Sequence, residues 1–275
     1  MGDINAENAK SAYENNLDIR YVHGMINRAF VLTNIYLAMN KATLQEIEMR
    51  FDKDVERFSN LETGQATTLD AVWNMELITD AISSLYPNLE QVLDIGCGAG
   101  NYDVKLLQKV RSNPDVTLVD LSLPMLERAR ERVGVLTNGS VHLIKDDFRQ
   151  ADLSEEKFDV IIATAVLHHL RDDQDWETAF HKLFKLLKSG GSVWIFDLIE
   201  QNSAPLQQLI YREKYGAYLT KLQNEAYRDH VFAYVEHEDT PRSLVYQLEL
   251  LAKIGFRDID VLHKNLCFAS FLAFK

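Results

Sequence analysis

Residues 92–101 read Val-Leu-Asp-Ile-Gly-Cys-Gly-Ala-Gly-Asn (VLDIGCGAGN), and this stretch decides the fold class. A short apolar run that contains Asp94 leads into a glycine-rich turn, and helical spacing begins at Asn101. Glycines adopt backbone torsions that side chains forbid, and they let the backbone approach a ligand. A helix N-terminus adds free N–H donors and a partial positive charge. The stretch therefore predicts a strand, a turn and a helix that together hold a polar or anionic cofactor.

The spacing of the glycines restricts the kind of cofactor. They stand at 96, 98 and 100, whereas the dinucleotide fingerprint G-x-G-x-x-G would need its third glycine at Asn101. The carboxylate of Asp94 would also repel a pyrophosphate, and it suits a ligand that carries an ammonium group. A nicotinamide oxidoreductase is therefore the more distant alternative.

Apolar strands and amphipathic helices alternate from residue 90 onward, which predicts parallel βαβ units with right-handed crossovers. The predicted helices cover 101–110, 124–133 and 173–187, and the predicted strands cover 91–95, 116–119, 141–144, 158–163, 192–198, 258–262 and 266–274. Few residues separate the last two strands, so they form an antiparallel hairpin. The predicted fold is α/β: a doubly wound, seven-stranded, mostly parallel sheet with an antiparallel C-terminal hairpin.

The remaining segments predict helical additions to this sheet. Residues 1–88 read as an N-terminal helical extension, with helices expected over 17–50 and 69–85, that caps the site or makes a homodimer contact. Residues 89–275 read as the cofactor-binding domain. Within it, the tyrosine-rich insertion 200–240 reads as a helical lid, which would set the choice of substrate.

Polar residues follow the predicted parallel strands at the edge where open α/β sheets place ligands. Asp120 ends the second strand, and a carboxylate there can accept hydrogen bonds from both ribose hydroxyls. Asp147 and Phe148 follow the third strand and could meet the amino group and the face of an adenine. Thr164 follows the fourth strand and faces the predicted cleft.

Several motifs in order resemble those of class I S-adenosylmethionine-dependent methyltransferases: VLDIGCGAG, TLVDLS, KDDF, FDVIIATAVLHHL and the closing GFRDIDVLHKNLCFASFLAFK. The resemblance implies S-adenosylmethionine as cofactor and S-adenosylhomocysteine as product. It implies that Asp94, Gly96 and Gly98 contact the methionine portion and that Asp120 contacts the ribose. The full implied cofactor set is Asp94, Gly96, Cys97, Gly98, Asp120, Leu121, Asp147, Phe148 and Thr164.

A narrower resemblance joins the FDKDVERF segment, the aromatic insertion and the C-terminal ending to a subgroup of small-molecule methyltransferases that includes carboxy-S-adenosylmethionine synthase. That synthase uses an arginine of the insertion to hold the extra carboxylate. Here Gly216 or a neighbouring tyrosine falls near that position, and Arg212 is the nearest basic residue. Plain methyl transfer is therefore the favoured interpretation, with Tyr211, Arg212 and Tyr215 as candidate substrate contacts.

The implied reaction is direct in-line methyl transfer, which needs a positioned nucleophile but neither a metal nor a covalent intermediate. A general base is needed only for a protonated acceptor. His168 and His169 are the titratable residues of the ATAVLHHL segment, so they are the candidate catalytic residues; the alternative is that they are pocket-wall or packing residues.

Charge and residue composition restrict the classes of molecule that the protein is expected to bind. The net charge of −12 argues against nucleic acid and favours a small-molecule acceptor. The two cysteines are far apart in sequence, and the N-terminus is acidic and polar, so we expect no disulfide, zinc site, signal peptide or membrane span, and a cytoplasmic location. The alternatives left open are an enzyme that acts on the cofactor or on tRNA through it, and a catalytically silent cofactor-binding regulator.

Overall fold

Seven strands form one sheet in the order β3-β2-β1-β4-β5-β7-β6. Strands β1 to β5 are parallel, and β7 runs antiparallel to its neighbours β5 and β6. The strand bounds are β1 Gln91–Ile95, β2 Asp115–Asp120, β3 Val141–Lys145, β4 Phe158–Thr164, β5 Leu187–Leu198, β6 Arg257–Asn265 and β7 Phe268–Phe274. The predicted sheet, with its C-terminal antiparallel hairpin, is confirmed.

The computed structural model describes residues 41–60 and 62–275, and residues 42–275 form one compact unit. The predicted helix over 17–50 therefore lies mostly outside the described residues, and its last part is seen as α1. The role of residues 1–88 as a cap or homodimer contact stays a prediction. Among the described residues, no helix is both long and apolar enough to cross a membrane.

Helices flank the sheet and fill the predicted insertion. Their bounds are α1 Leu44–Lys53, α2 Val55–Ser59, α3 Ala71–Leu85, α4 Asn101–Leu107, α5 Leu123–Val133, α6 Asp173–Leu186, α7 Ala204–Gln207, α8 Gly216–Leu222, α9 Glu225–Glu238 and α10 Leu244–Ile254, with a 3₁₀ turn at Leu167–His169 and a π-helical segment at Gln208–Tyr215. The predicted helix over 173–187 ends at Leu186, because Leu187 already begins β5.

The core lies on both faces of the central strands. In β4, Ile161 packs into a cluster with Trp176 and Phe180 of α6, whereas Ile162 packs into a cluster on the opposite face with Ile78 of α3. Successive strand residues point to opposite faces, so a strand covered on both sides must be apolar throughout. This explains the continuous apolar run VIIA at residues 160–163, and it leaves the carboxyl ends of the strands as the place where polar side chains can face a ligand.

Ser122 joins the N-terminal helices to the sheet domain. Its buried hydroxyl accepts a hydrogen bond from the Met125 backbone N–H (3.3 Å), which caps α5, and donates to the Asp52 carboxylate of α1 (2.6 Å). Arg128 of α5 pairs with Glu56, and Lys145 pairs with Glu48 at 2.7 Å. These contacts hold α1 and α2 beside the carboxyl edge of the sheet.

Replacing Ser122 with Ala should lower the free energy of unfolding by about 1–2 kcal/mol, because the substitution removes a helix cap and an interhelical hydrogen bond. Urea denaturation measures this change. Ser84→Ala, at an exposed site of α3, is the matched control and should change stability by less than about 0.5 kcal/mol. Equal stability of the two variants would contradict the assigned role of Ser122.

Candidate functional site

A cavity opens where the carboxyl ends of β1, β2 and β4 meet. It encloses about 1030 Å³, including space open to solvent. Its walls come from the glycine turn, the ends of β2 and β4, the segment after β3, and the first helices of the described chain. We call it the first cavity; its lining includes Phe51, Phe58, Gln65, Gly96, Cys97, Gly98, Asn101, Asp120, Leu121, Asp147, Phe148, Thr164, Ala165 and His169.

The glycine turn has a conformation that side chains rarely adopt. Gly96 has φ +66° and Gly98 has φ +50°. A Cβ atom at Gly96 would lie 2.5 Å from Val166 Cγ2, whereas a Cβ atom at Gly98 would meet no heavy atom within 4 Å. Gly96 is thus required by close packing, and Gly98 leaves an open cradle on the cavity side.

Asp120 links the turn to β2. Its Oδ2 accepts the Gly98 N–H at 2.8 Å, and its Oδ1 accepts the Ser122 N–H at 2.9 Å. Burial raises the pKa of Asp120 to about 6, although the backbone donors partly offset that rise. The carboxylate lines the first cavity and keeps further lone pairs for a ligand.

Asp94 lies beneath the turn rather than on the cavity wall. It is 2% exposed, and its Oδ1 has no hydrogen-bond partner among the described residues. Burial, reinforced by the nearby carboxylate of Asp103, raises the pKa of Asp94 well above its usual range. Burial likewise raises the pKa of Asp103 to about 6. The floor of the turn is thus an acidic pair that a cationic ligand would stabilise.

The other predicted cofactor residues all reach the first cavity. Cys97, Leu121, Asp147, Phe148 and Thr164 line it together with Gly96, Gly98 and Asp120. The Asp147 carboxylate also accepts from the Arg149 guanidinium at 3.0 Å, so any further ligand would share it with Arg149.

A second cavity of about 1480 Å³, solvent-open space included, adjoins the first. Both cavities share a wall formed by Phe51, Phe58, Gln65, Ala165 and His169. Elsewhere the second cavity is lined by α9, by the segment after α2, and by aromatic side chains, among them Phe196, Tyr215, Tyr227, Tyr234 and Phe268.

His168 and His169 lie near the wall that the two cavities share: His169 lines both cavities, and His168 lines the second. His168 Nδ1 hydrogen-bonds the buried Asp197 carboxylate, and His169 Nδ1 lies 3.1 Å from Asp239 Oδ1. Burial alone would lower the pKa of His168, but the charges of Asp197 and Asp239 outweigh it and raise the pKa to about 9. At neutral pH, His168 therefore holds its proton in this structure.

The predicted substrate contacts in the insertion are only partly brought to the site. Tyr215 lines the second cavity and donates to the Thr67 carbonyl at 2.8 Å. Tyr211 packs into the aromatic core against Phe232 and lines neither cavity. Arg212 also lines neither cavity, because it lies over the Phe232 ring and pairs with Glu236 at the surface.

Several residues of the two cavities could not be identified from the sequence motifs. Phe51 and Phe58 belong to the N-terminal helices, where no motif marks them. Asp197 and Asp103 left a weak signal, since each is an acid among apolar neighbours next to a predicted cleft element. No sequence signal marked Asp239, because only folding brings the end of α9 to His168 and His169.

The two glycines of the turn should differ in their response to alanine. Gly98→Ala should cost about 1–2 kcal/mol of stability for its left-handed backbone alone, as should the control Gly190→Ala (φ +79°, with nothing within 4 Å of a Cβ). Gly96→Ala should cost about 1–3 kcal/mol more, because of the clash with Val166. Thermal and urea unfolding measure these differences, and equal losses in all three variants would contradict the packing described.

Residues 92–191 match the family model described as a methyltransferase domain. The chain is similar to an uncharacterized methyltransferase of Mycobacterium tuberculosis, 31% identical over 133 residues, or 48% of this chain and 63% of the relative. It is also similar to carboxy-S-adenosyl-L-methionine synthase of Nautilia profundicola, 23% identical over 82% of this chain and 98% of the relative. The chain thus covers less than two thirds of the mycobacterial relative.

Solved structures show the same fold at low identity. Phosphoethanolamine N-methyltransferase 2 of Haemonchus contortus, with phosphomonomethylethanolamine and S-adenosylhomocysteine, is 20% identical with a TM-score of 0.56, over 80% of this chain and 46% of that one. Human N-acetylserotonin methyltransferase, with S-adenosylmethionine, is 19% identical with a TM-score of 0.52, over 79% and 57% of the two chains. Residues 92–191 therefore match a methyltransferase domain, and the solved structures show that the chain shares the fold of these methyltransferases.

Proposed function

We propose that the protein transfers a methyl group from S-adenosylmethionine in the first cavity to a small-molecule acceptor in the second cavity. The observation that carries this proposal is the shared wall. Two substrates that react directly must occupy adjoining spaces, and Ala165 and His169 border both spaces. Such positioning is worth effective molarities of about 10⁵–10⁸ M.

The residues of the first cavity fit the proposed cofactor. Gly98 leaves an open cradle, and Asp94 Oδ1 has no hydrogen-bond partner among the described residues. The acidic floor suits a ligand with a sulfonium and an ammonium group, and Asp120 can accept from ribose hydroxyls. When bound, S-adenosylmethionine supplies an electrophilic methyl group, so the chain has to orient the two substrates and exclude water.

The walls of the second cavity favour an acceptor with an apolar or aromatic body. Phe51, Phe58, Tyr227 and Tyr234 line it, and the Arg50 guanidinium on the same wall is occupied by the Glu238 carboxylate at 2.8 Å. We assign the acceptor choice to the insertion 200–240, acting as a lid through α9. His169, on the shared wall, is the group we place next to the acceptor atom.

An alternative is an enzyme that makes or uses a carboxylated form of the cofactor, which the long match to the Nautilia profundicola synthase favours. Against it, Arg212 pairs with Glu236 and lines neither cavity, so no arginine of the insertion replaces the one expected there. Mass spectrometry of the ligand that co-purifies with the protein separates the two, since the carboxylated cofactor is heavier by one carboxylate group.

Isothermal titration with S-adenosylhomocysteine tests the cofactor site. The protein should bind one equivalent, and Asp120→Asn should weaken binding at least tenfold, because an amide accepts fewer hydrogen bonds than a carboxylate. Asp152→Asn, at an exposed position, is the control and should bind as the unmodified chain does. Absence of binding, or equal affinities in both variants, would contradict the assignment.

Cofactor affinity should fall as the pH is lowered through about 6. The raised pKa means that Asp120 is protonated below that value, and the proton must leave before the carboxylate can accept the ribose hydroxyls. The dissociation constant for S-adenosylhomocysteine should therefore rise between pH 7 and pH 5, and Asp120→Asn should flatten this part of the profile. A wild-type profile that is flat from pH 8 to pH 5 would contradict the role of Asp120.

His169→Gln should lower turnover by about 10²-fold or more if the acceptor arrives protonated, while the affinity for S-adenosylhomocysteine changes little. The measurement is methyl transfer from labelled S-adenosylmethionine across a panel of phenols, amines and carboxylic acids. His181→Gln, on the exposed face of α6, is the control. Cofactor binding with no transfer to any acceptor would favour a silent regulator instead.

A further inference from the structure

Three potential metal ligands converge on the wall of the second cavity: His168, His169 and Asp239. One ligand atom from each residue lies within 4.8 Å of the other two. His169 Nδ1 is 3.1 Å from Asp239 Oδ1, and His168 Nε2 is 3.7 Å from that same oxygen. Ligand atoms held tetrahedrally at about 2.0–2.1 Å from a zinc ion are about 3.4 Å apart, so the two separations that involve Asp239 Oδ1 are close to those of a metal site.

The ring of His169 is consistent with the same site. Both of its nitrogens are buried; Nδ1 lies 3.1 Å from Asp239 Oδ1, and Nε2 makes no hydrogen bond to any of the described residues. An unpaired buried polar atom is costly, so the protein groups around the ring satisfy it incompletely. A metal ion between Nδ1 and the Asp239 carboxylate would be bound by both groups.

His168 is held as ligating histidines usually are. Its Nδ1 is hydrogen-bonded to Asp197, which leaves Nε2 facing Asp239. Asp197 is itself fixed, since it accepts the backbone N–H groups of Leu167 and Leu198 at 2.7 Å each. A carboxylate behind the ring orients a metal-binding imidazole and raises its basicity.

Asp239 reaches the histidines from a different part of the chain. It directly follows α9, and the next residue, Thr240, donates its N–H to the His168 carbonyl at 2.7 Å. This hydrogen bond holds the end of the insertion against the turn after β4. The three ligand groups are therefore brought together by the folded backbone rather than by flexible side chains alone.

We propose that His168 Nε2, His169 Nδ1 and the Asp239 carboxylate bind one divalent transition-metal ion, with Asp197 as the residue that orients His168. Two imidazoles and one carboxylate suit Zn²⁺, Fe²⁺ or Co²⁺ better than Mg²⁺ or Ca²⁺, which prefer oxygen ligands throughout. Binding of the ion displaces the proton from His168 Nε2 into solvent, and the carboxylates of Asp197 and Asp239 balance the two charges of the ion. The resemblance to methyltransferases implies no such metal.

The three ligand residues line the second cavity, so the bound ion would select an acceptor with a hydroxyl or carboxylate oxygen that can bind it. This acceptor class rests on the proposed function, whereas binding of the ion does not. The bound ion would restrict the class of acceptor from any nucleophile that fits the cavity to a molecule with an oxygen ligand and an apolar body.

The test titrates the untagged, full-length chain, stripped with EDTA and returned to chelator-free buffer, with Co²⁺. The visible absorption of the bound ion should saturate at one equivalent, and Zn²⁺ should displace it. His169→Gln and Asp239→Asn should each weaken binding at least tenfold, and Asp197→Asn should weaken it about 10–100-fold. The control His181→Gln should bind as the unmodified chain does.

Titration of each variant with S-adenosylhomocysteine shows that it is folded and keeps the two proposals separate. No stoichiometric binding of Co²⁺ or Zn²⁺ by the unmodified chain would overturn the metal site, as would equal affinity in His169→Gln, Asp239→Asn and His181→Gln. Metal binding without S-adenosylhomocysteine binding would instead overturn the proposed function and leave the metal site standing.

Discussion

One hydrogen bond sets the geometry on which the rest of the site depends. The Gly98 N–H donates to Asp120 Oδ2 at 2.8 Å, and so joins the turn after β1 to the end of β2. The bond is possible because Gly98 adopts a left-handed conformation that turns its amide toward the neighbouring strand. Together with the Ser122 N–H, it fixes the direction in which the Asp120 carboxylate faces.

Charge explains why this arrangement favours one class of ligand. Asp94, Asp103 and Asp120 lie close together at the turn, and burial raises the pKa of each. Burial disfavours the charged form of these acids, and a nearby cation would offset that cost. The second cavity shows the same principle, because the buried Asp197 and Asp239 carboxylates surround His168. In both regions, on the two sides of the shared wall, buried carboxylates would stabilise a nearby positive charge.

The sequence could predict the sheet and the first cavity because their signals are local. The apolar strands, the glycine spacing and the acid at position 120 each lie within a few residues, and parallel strands necessarily bring their carboxyl ends to one edge. The second cavity could not be predicted in this way. Asp239 meets His168 only after α9 folds back, and Arg212 lies at the surface because Phe232 and Glu236 of α9 hold it there. Phe51 and Phe58 reach both cavities through the packing of α1 and α2, which no motif records.

A crystal structure of the protein with S-adenosylhomocysteine tests the proposed cofactor site most directly. We expect the ribose to lie within hydrogen-bonding distance of Asp120 and the methionine portion to lie over Gly96 and Gly98. We expect the sulfur to face the wall shared with the second cavity at His169. Density for the ligand away from the glycine turn, or a sulfur that faces away from the second cavity, would contradict it.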